Sequence, residues 1–270
     1  MFVSIIRIAN LALLAALFLT GAAWAAEAPH RLTYQVYAGG VHVIAADLDL
    51  SLTNKTYQAD LNAQTRGFLG KLVPWRGSFA TQGRGNHAHL MPIEHRSVST
   101  WKEKDDTAIY RYDARGAFKS LKLTDDGVDK TPKNIDPALT RQTVDILTAT
   151  LRMMQNVDAA KACAGKSDVF DSRRRFTLAF APQGVETLKP SKRSFYTGPA
   201  YKCTVEVTPK GGAWKKKPRG WLSIQEQGRK KGTLPTMWVA RVQDDLPPVP
   251  VRIMMKTDYG TLFMHLSDVR

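Results

Sequence analysis

Residues 136–163 read DPALTRQTVDILTATLRMMQNVDAAKAC, the one long stretch of this sequence with helical periodicity. Asp136 is a suitable N-cap, because its carboxylate can accept from the free amides of the first turn, and Pro137 needs no amide partner there. Apolar residues follow at helical spacing in two neighbouring rows, Val144, Leu147, Leu151 and Met154 in one and Ile146, Met153 and Val157 in the other. The pattern predicts one helix over about residues 137–156 with a broad buried face, and some polar surface at Arg141, Gln142, Asp145 and Arg152.

The segments on both sides of this helix carry strand patterns. Residues 32–38 and 41–52 are rich in apolar side chains and are separated by Gly39 and Gly40, which can adopt the positive φ angles of a tight hairpin turn. Residues 57–64 alternate apolar and polar side chains, which is typical of an antiparallel strand with one buried face. About a dozen strands are predicted in this way, one of them at the stretch that begins at Trp221.

The predicted sheet has so many strands that it must curl, because its right-handed twist accumulates and exposed edges are a hazard. No linker rich in proline, glycine or serine divides the chain, and no internal repeat does. The sequence therefore predicts a mainly β fold, a single curved domain over residues 26–270. Its large curled antiparallel sheet, an open barrel or a β-spiral, would pack around the one central helix.

The N-terminus has the three parts of a secretory signal peptide. Arg7 is followed by an apolar run and then by Ala-Trp-Ala at residues 23–25, after which signal peptidase could cleave. Residues 1–25 are therefore predicted to be removed, which would place the mature protein in the periplasm. An uncleaved membrane anchor is the alternative, because residues 8–26 are interrupted only by Asn10, Thr20 and Gly21.

Charge and cysteine content add two expectations. The formal net charge is +15 at pH 7, so the chain is strongly basic. Cys163 and Cys203 would lie in an oxidising compartment, where thiols usually pair, and we expect one disulfide between the end of the helix and a strand. A loop of about 40 residues would stabilise the fold by about 4 kcal/mol through the reduced entropy of the unfolded chain. Two unpaired buried thiols are the alternative.

No catalytic motif stands out in the sequence. It contains no G-x-S-x-G, no P-loop, no G-x-G-x-x-G and no H-E-x-x-H. His87 and His89 form an H-x-H pair near His95, as in some zinc sites, but no cysteine or carboxylate completes a ligand set, and solvated loop histidines are the better interpretation. No metal, no cofactor and no enzymatic activity are predicted, and an unrecognised hydrolase is kept as a minor alternative.

One segment could act as a lid over a ligand. Residues 67–75 contain two glycines, a proline and several large apolar residues, which suggests a short helical or irregular segment able to move. Phe68, Leu69 and Val73 would be its ligand contacts. The alternative is that these side chains are simply part of the core.

A second segment could form a basic rim. The predicted strand that begins at Trp221 is preceded by Lys215, Lys216, Lys217 and Arg219 and followed by Arg229, Lys230 and Lys231. Both groups could meet at one edge of the sheet and attract the phosphates of an anionic membrane surface. Solvated turns that keep the protein soluble are the alternative, because charge runs usually do no more than this.

Several diffuse features together resemble those of a known family. They are the tyrosine-containing strand before Gly39 and Gly40, Gly-Phe-Leu-Gly at 67–70, Met-Pro-Ile at 91–93, the Asp136-Pro137 helix start, and Tyr201-x-Cys203. On these features the chain resembles, over essentially its whole mature length, the exported bacterial family catalogued as domain of unknown function 3108. The resemblance implies a periplasmic protein of Gram-negative bacteria with a curved β structure, and it supplies no catalytic residues. More loosely, a helix in a curled antiparallel sheet resembles periplasmic lipoprotein carriers and β-spiral envelope-integrity proteins.

The leading functional hypothesis is a non-enzymatic periplasmic envelope protein that binds a lipid-like or other apolar ligand, or a partner, between the sheet and the helix. It rests on the lid and on large apolar residues that could lie near the rims, Trp75, Trp101, Trp214, Trp221 and Trp238. The same residues could instead fill the core. The alternative function is a structural or interaction protein that docks on an anionic envelope surface through the basic rim. Export disfavours nucleic acid as the partner.

Overall fold

The computed structural model describes residues 29–86, 89–217, 220–258 and 260–270, and the predicted signal peptide at 1–25 lies outside these ranges. The strands of the described chain are β1 (His30–Ala38), β2 (Val41–Leu52), β3 (Thr56–Thr65), β4 (Trp75–Asn86), β5 (His89–Trp101), β6 (Lys104–Tyr112), β7 (Phe118–Asp125), β8 (Val128–Asp129), β9 (Gly165–Phe170), β10 (Arg174–Leu188), β11 (Gly198–Gly212), β12 (Thr236–Ala240), β13 (Val249–Thr257) and β14 (Gly260–Val269). Its helices are α1 (Gly67–Leu72), α2 (Pro137–Thr140), α3 (Ile146–Ala160) and α4 (Trp221–Lys230). None of these helices has the length and apolar character that a membrane span requires.

All fourteen strands form one antiparallel sheet in the order β8-β7-β6-β5-β4-β3-β2-β1-β14-β13-β12-β11-β10-β9. The first and last strands, β1 and β14, pair in the middle of this order. The sheet therefore has two wings, a first wing of β1–β8 and a second wing of β9–β14, and within each wing strands that are consecutive in sequence are neighbours in the sheet. The outermost strands, β8 and β9, do not pair with each other, so the sheet is not closed.

The two outer parts of the sheet approach each other along a seam. Phe170 at the end of β9 contacts Tyr110 of β6 and Phe118 of β7, with ring centroids 6.2 and 5.4 Å apart. These side chains belong to a small core that is separate from the main one. Strands from opposite ends of the sheet order thus share a core, and the predicted fold class, a mainly β, large curled antiparallel sheet around a central helix, is confirmed.

The predicted hairpin at the start of the fold is also confirmed. Gly39 and Gly40 have φ angles of 55° and 90°, the left-handed region that a two-residue hairpin turn requires and that glycine adopts without steric cost. The resulting register pairs Leu32 with Leu48 and Tyr34 with Ala46, so the buried faces of β1 and β2 coincide.

Helix α3 lies in the concavity of the sheet and contacts both wings. Its buried face includes Leu151, Met153, Met154 and Val157, which share the main core with residues of β10–β12. The helix also packs on β4 and β5 of the first wing. Burying a large apolar side chain contributes about 1.5–3 kcal/mol, so this face is a main source of the attraction that holds the curled sheet around the helix.

The central helix was predicted as one element over about residues 137–156, and this prediction was wrong. The structure has a single turn, α2, which ends at Thr140, and then α3, which begins six residues later at Ile146. Asp136 does cap α2, because its carboxylate accepts from the Ala138 amide at 2.8 Å. The main helix has its own cap, Asp145, which accepts from the Thr148 amide at 2.9 Å.

The break between α2 and α3 follows from the exposed edge of β9. Gln142 adopts a φ of 56°, which turns the chain out of the helical path. The Val144 amide then donates to the carbonyl of Asp168 at 3.0 Å, and the Phe170 amide donates to the carbonyl of Val144 at 3.3 Å. The chain therefore leaves the helical path because its backbone at Val144 forms hydrogen bonds with the free edge of β9.

The predicted disulfide between Cys163 and Cys203 is present. Their Cα atoms lie 5.5 Å apart, and both residues are fully buried in the main core. The bond joins the end of α3 to β11, so it fastens the helix to the second wing of the sheet.

The stretch that begins at Trp221 was predicted as a strand, and this prediction was wrong, because it forms helix α4. Gly220, with a φ of 58°, turns the chain just before the helix. The side chain of Gln225 is buried and bonds to both backbone groups of Val207, accepting from its amide at 2.7 Å and donating to its carbonyl at 3.1 Å. These bonds satisfy backbone groups in the part of β11 that extends beyond its pairing with β12. An amide side chain on a helix thus takes the place of a neighbouring strand.

Candidate functional site

Helix α3 fills only part of the concavity, and the rest forms a cleft at the seam. The helix starts at Asp145, beside Thr81 and His95 in the middle of β4 and β5. It runs towards the start of β5, where Arg152 donates to the carbonyl of Leu90. In the opposite direction a cavity of about 410 Å³ opens between the inner face of β4–β7, the start of α3 and the end of β9. We call this cavity the seam cleft.

The walls of the seam cleft combine apolar surface with small polar groups. Phe79, Leu123 and Phe170 provide apolar walls, and Ile146, the first residue of α3, stays 36% exposed beside them. Ser97 lies between His95 and Ser99 on the face of β5 that lines the cleft, and its small side chain leaves space open there. The exposed charged residues that line the cleft have mixed sign, with Lys130 and Arg173 opposed by Asp106 and Asp125.

The inner end of the seam cleft is closed by a buried polar cluster centred on Asp145, which is 1% exposed. One carboxylate oxygen accepts from the Thr148 hydroxyl at 2.6 Å and from Thr81 at 3.3 Å. The other accepts from the Thr148 amide at 2.9 Å and faces Nδ1 of His95 at 3.4 Å. The Tyr57 hydroxyl lies 2.8 Å from the Thr148 hydroxyl, and because that proton points to Asp145, Tyr57 is the donor.

A glycine gives Tyr57 the room to reach this cluster. Gly83 pairs with Tyr57 across β3 and β4, and a Cβ atom at this glycine would come within 2.4 Å of the tyrosine ring. No side chain could stand there without displacing the ring. The local sequence of β4 therefore helps to place the tyrosine hydroxyl on the helix.

Burial dominates the protonation of the cluster. It lowers the pKa of His95, against the opposing effects of the Asp145 carboxylate and of a hydrogen bond with the Ala80 backbone. It raises the pKa of Tyr57 and of Tyr110, whose ring lies 5.3 Å from that of His95. The tyrosines are therefore protonated donors, and the cluster forms a rigid polar floor that fixes where α3 begins.

Sequence reasoning missed most of this cluster. Asp145 was expected to contribute polar surface and is instead among the most buried residues. The available signal was the spacing Asp145-x-x-Thr148 directly before the apolar helical run, which is an N-cap pattern. No local pattern marks His95 or Tyr57, because their roles depend on the register of β3, β4 and β5.

The histidine pair has no structural support as a metal site. His87 lies outside the described residues, and His89 is exposed. Within the described ranges, no group of three or more His, Cys, Asp or Glu residues could hold a metal ion. His95 belongs to the buried floor and is held there by the surrounding strands.

The predicted lid forms helix α1, at the end of the sheet where the seam cleft opens. The next strand begins with Trp75, which pairs with Trp101, two residues beyond the cleft residue Ser99. Phe68 is 71% exposed, whereas Leu69 and Val73 are half-buried. These three side chains do not line the cleft in this structure, so their role as ligand contacts stays a prediction that requires α1 to move.

The predicted basic rim is divided by the structure. Lys215, Lys216 and Lys217 are exposed in the loop between β11 and α4, and Arg219 lies outside the described residues. The second group was predicted to follow a strand, but it lies at the end of helix α4.

The second basic group is also partly neutralised. Arg229 donates to Glu206 at 2.6 Å, and Lys231 lies 3.4 Å from Asp258, whereas Lys230 is exposed. The unpaired positive charge of the two groups therefore comes mainly from Lys215, Lys216, Lys217 and Lys230, which lie before the start of α4 and at its end.

Comparison with known proteins identifies a family and a fold. The family model described as protein of unknown function (DUF3108) matches residues 33–267. The chain is also similar to the crystal structure of a β-barrel-like protein of domain of unknown function DUF1849 from Brucella abortus, with a TM-score of 0.53 and 9% identity over 90% of this chain and 97% of that one. No match was found among the curated proteins. The structural similarity supports the curled β fold alone, and the family match shows that the chain belongs to the DUF3108 family.

Proposed function

We propose that the protein is an exported, periplasmic, non-enzymatic binding protein that takes an amphipathic or apolar ligand, such as a lipid, into the seam cleft. The observation that carries this proposal is the half-filled concavity: α3 begins at Asp145, and about 410 Å³ beyond it stay open. Protein interiors are close-packed, so an opening of this size is much larger than an ordinary packing defect.

The size and lining of the cleft fit a small ligand. Cavities of about 300–1,000 Å³ with apolar walls and a few placed polar groups are typical of ligand sites. Phe79, Ile146 and Phe170 offer apolar contact, and Ile146 gains burial only if something occupies the cleft. The exposed charges of Lys130 and Arg173 would suit the polar end of an amphipathic molecule.

Binding is favoured over catalysis by the state of the polar floor. Both carboxylate oxygens of Asp145 are engaged by Thr148, Thr81 and the start of α3. A carboxylate that caps a helix and is tied by several donors has a structural task already. The floor then limits how deep a ligand can enter the concavity.

The proposal is tested by calorimetry of the mature protein with a series of saturated fatty acids or lysolipids of increasing length. Each buried methylene should add about 0.8 kcal/mol to the binding free energy until the cleft is full, after which affinity should level off. Phe68→Asp should lower the affinity without unfolding the protein if α1 closes over the bound chain. Absence of binding at every length, or affinity independent of length, would contradict the proposal.

A second candidate function is docking on an anionic envelope surface. The observation that favours it is the exposed run Lys215–Lys217, on the loop that follows β11. Each lysine near such a surface contributes about 1 kcal/mol, less at high salt. Replacing Lys215, Lys216, Lys217 and Lys230 by Ser should weaken binding to phosphatidylglycerol vesicles at low salt, and wild-type protein that does not bind these vesicles would exclude this function.

A further inference from the structure

A second cavity, the arginine pocket, lies between the β6–β7 turn and the break that separates α2 from α3. Its volume is about 520 Å³, and it is lined by the guanidinium-bearing side chains of Arg115, Arg141 and Arg152. The β6–β7 turn is at the opposite end of β6 from the β5–β6 turn, beside which the seam cleft opens. The arginine pocket is therefore separate from the site of the proposed function.

The described residues balance the charges of the arginine pocket only in part. None of its described lining residues is acidic. By contrast, two arginines at the start of β10 have carboxylate partners, Asp171 for Arg174 and Asp168 for Arg175. The three pocket arginines have no such ion pair among the described residues. Like charges placed around one concave surface raise the local positive potential and attract anions.

The acidic residue closest in sequence is occupied by backbone groups. Asp113, in the β6–β7 turn, accepts from the amides of Arg115 at 2.8 Å and of Ala117 at 2.9 Å. These two bonds hold the pKa of Asp113 below its usual range. The carboxylate thus shapes the turn that carries Arg115, and although it also attracts Arg115 it is not part of the lining of the pocket.

Arg152 is fixed in place before any ligand binds. Its Nε and Nη2 atoms donate to the carbonyl of Leu90 at 3.2 and 2.6 Å, so the planar guanidinium is oriented by the start of β5. Nη1 has no hydrogen bond to another described residue. Burial lowers the pKa of Arg152, and the nearby Tyr57 and the Asp145 carboxylate oppose this effect only in part.

We infer that the arginine pocket binds the phosphate group of a phosphate-bearing ligand. Guanidinium groups match phosphate through parallel N–H···O bonds, and a pre-oriented arginine loses less entropy on binding than a mobile lysine does. Arg115 and Arg141 are exposed at the pocket, so their side chains can turn towards an anion that Arg152 holds from the inner side. The phosphate could come from a free phosphate compound or from a phospholipid headgroup, and the chemistry of recognition is the same.

The test uses calorimetry of the mature protein at low ionic strength with two probes, inorganic phosphate and monomeric dihexanoyl phosphatidylglycerol. Arg141→Gln and Arg152→Lys should each weaken the binding of the better probe by about tenfold, the usual effect of losing one charge-assisted hydrogen bond. Arg152→Lys keeps the charge and loses the planar fork, so it tests geometry and not net charge. Tighter binding of the lipid would identify a headgroup as the source, and equal or weaker binding would identify a free phosphate compound.

Arg76→Gln is the matched control for Arg141→Gln. Arg76 is exposed near the start of β4, at the end of the sheet away from the β6–β7 turn, and its loss changes the net charge by the same amount. Affinity should stay within about twofold of wild type in this variant. The inference is overturned if neither probe binds the wild-type protein, or if the control weakens binding as much as the pocket variants do.

Discussion

The two wings of the sheet meet the same helix with different chemistry. The second wing presents apolar side chains such as Leu178, Val205 and Val239 to α3, and the disulfide fastens the helix to it. The first wing also contributes apolar residues such as Leu50 and Leu90 to the main core. It adds a buried polar cluster in which Tyr57 and His95 lie at the first turn of the helix. Non-directional packing thus acts on both sides of the concavity, and the first wing adds hydrogen bonds of fixed geometry.

This difference indicates how stability and site are divided. Apolar contacts have no required direction, whereas a buried carboxylate that loses its hydrogen-bond donors destabilises the fold by several kcal/mol. The cluster on the first wing therefore fixes the position where α3 begins. That position decides how much of the concavity is left open as the seam cleft. In this account the second wing holds the helix through the disulfide, and the polar cluster of the first wing sets the size of the binding site.

The largest effect is expected from breaking the attachment to the second wing. Removing a native disulfide typically costs about 2–5 kcal/mol, so Cys203→Ser should lower the free energy of unfolding by that amount. The double variant with Cys163→Ser should behave the same, because the bond is lost in both. Urea unfolding measures the change. A loss well below about 1 kcal/mol would show that the helix is held mainly by packing.

A smaller effect is expected from the first wing. Thr148→Val keeps the shape of the side chain but deprives Asp145 and Tyr57 of their shared partner, which should cost about 1–3 kcal/mol. Thr150→Val is the matched control on the same helix, because that hydroxyl only donates to the carbonyl of Ile146 at a half-exposed position. It should cost less than about 0.5 kcal/mol. Equal losses in the two variants would mean that the cluster does not anchor the helix.

The smallest effect is the dependence of the free energy of unfolding on pH. Burial lowers the pKa of His95 below its unfolded value of about 6.5, so between these two values the unfolded chain binds more protons and stability falls as the pH falls. One histidine can change stability by at most about 1.4 kcal/mol per pH unit. His265, whose pKa is lowered to about 4 mainly by burial, acts in the same direction. The carboxylates with lowered pKa values, such as Asp168, act only in more acidic solution.

The two histidines are separated by substitution. The slope of unfolding free energy between pH 7.5 and about 5 should decrease in His95→Asn and decrease further when His265→Asn is added. Urea unfolding at several pH values gives these slopes. A slope that stays the same in His95→Asn would indicate that this ring does not titrate with folding.

The sequence predicted the features of this fold that depend on local patterns. The Gly39-Gly40 turn, the alternation of the strands and the pairing of the two cysteines could be derived from residue type and spacing, and the resemblance to the DUF3108 family is confirmed. The break in the helix before Val144 could not be predicted, because it depends on a backbone bridge to β9, which is distant in the sequence. Helix α4 was missed for the same reason. Gln225 bonds to a part of β11 that has no β12 partner, and this is apparent only in the folded sheet.

The candidate site was even less accessible from the sequence. The seam cleft exists because Asp145 meets residues of β3, β4 and β5 whose common register has no local signature. The lid and the basic rim were predicted from composition, and neither lines the cleft. The lid forms α1 at the end of the sheet where the cleft opens, and the two parts of the basic rim lie before the start of α4 and at its end.

The most direct test of the central claim compares two neighbouring substitutions on β5. Ser97 lines the seam cleft, whereas Val98, the next residue, does not. Ser97→Trp should fill part of the cleft and exclude at least about two methylenes of a fatty acid, which corresponds to about tenfold weaker binding of dodecanoate in calorimetry. Val98→Trp should leave the affinity within about twofold of wild type. Equal effects of the two variants, or a wild-type protein that does not bind the fatty acid, would contradict the claim that the space left open by α3 is a binding site.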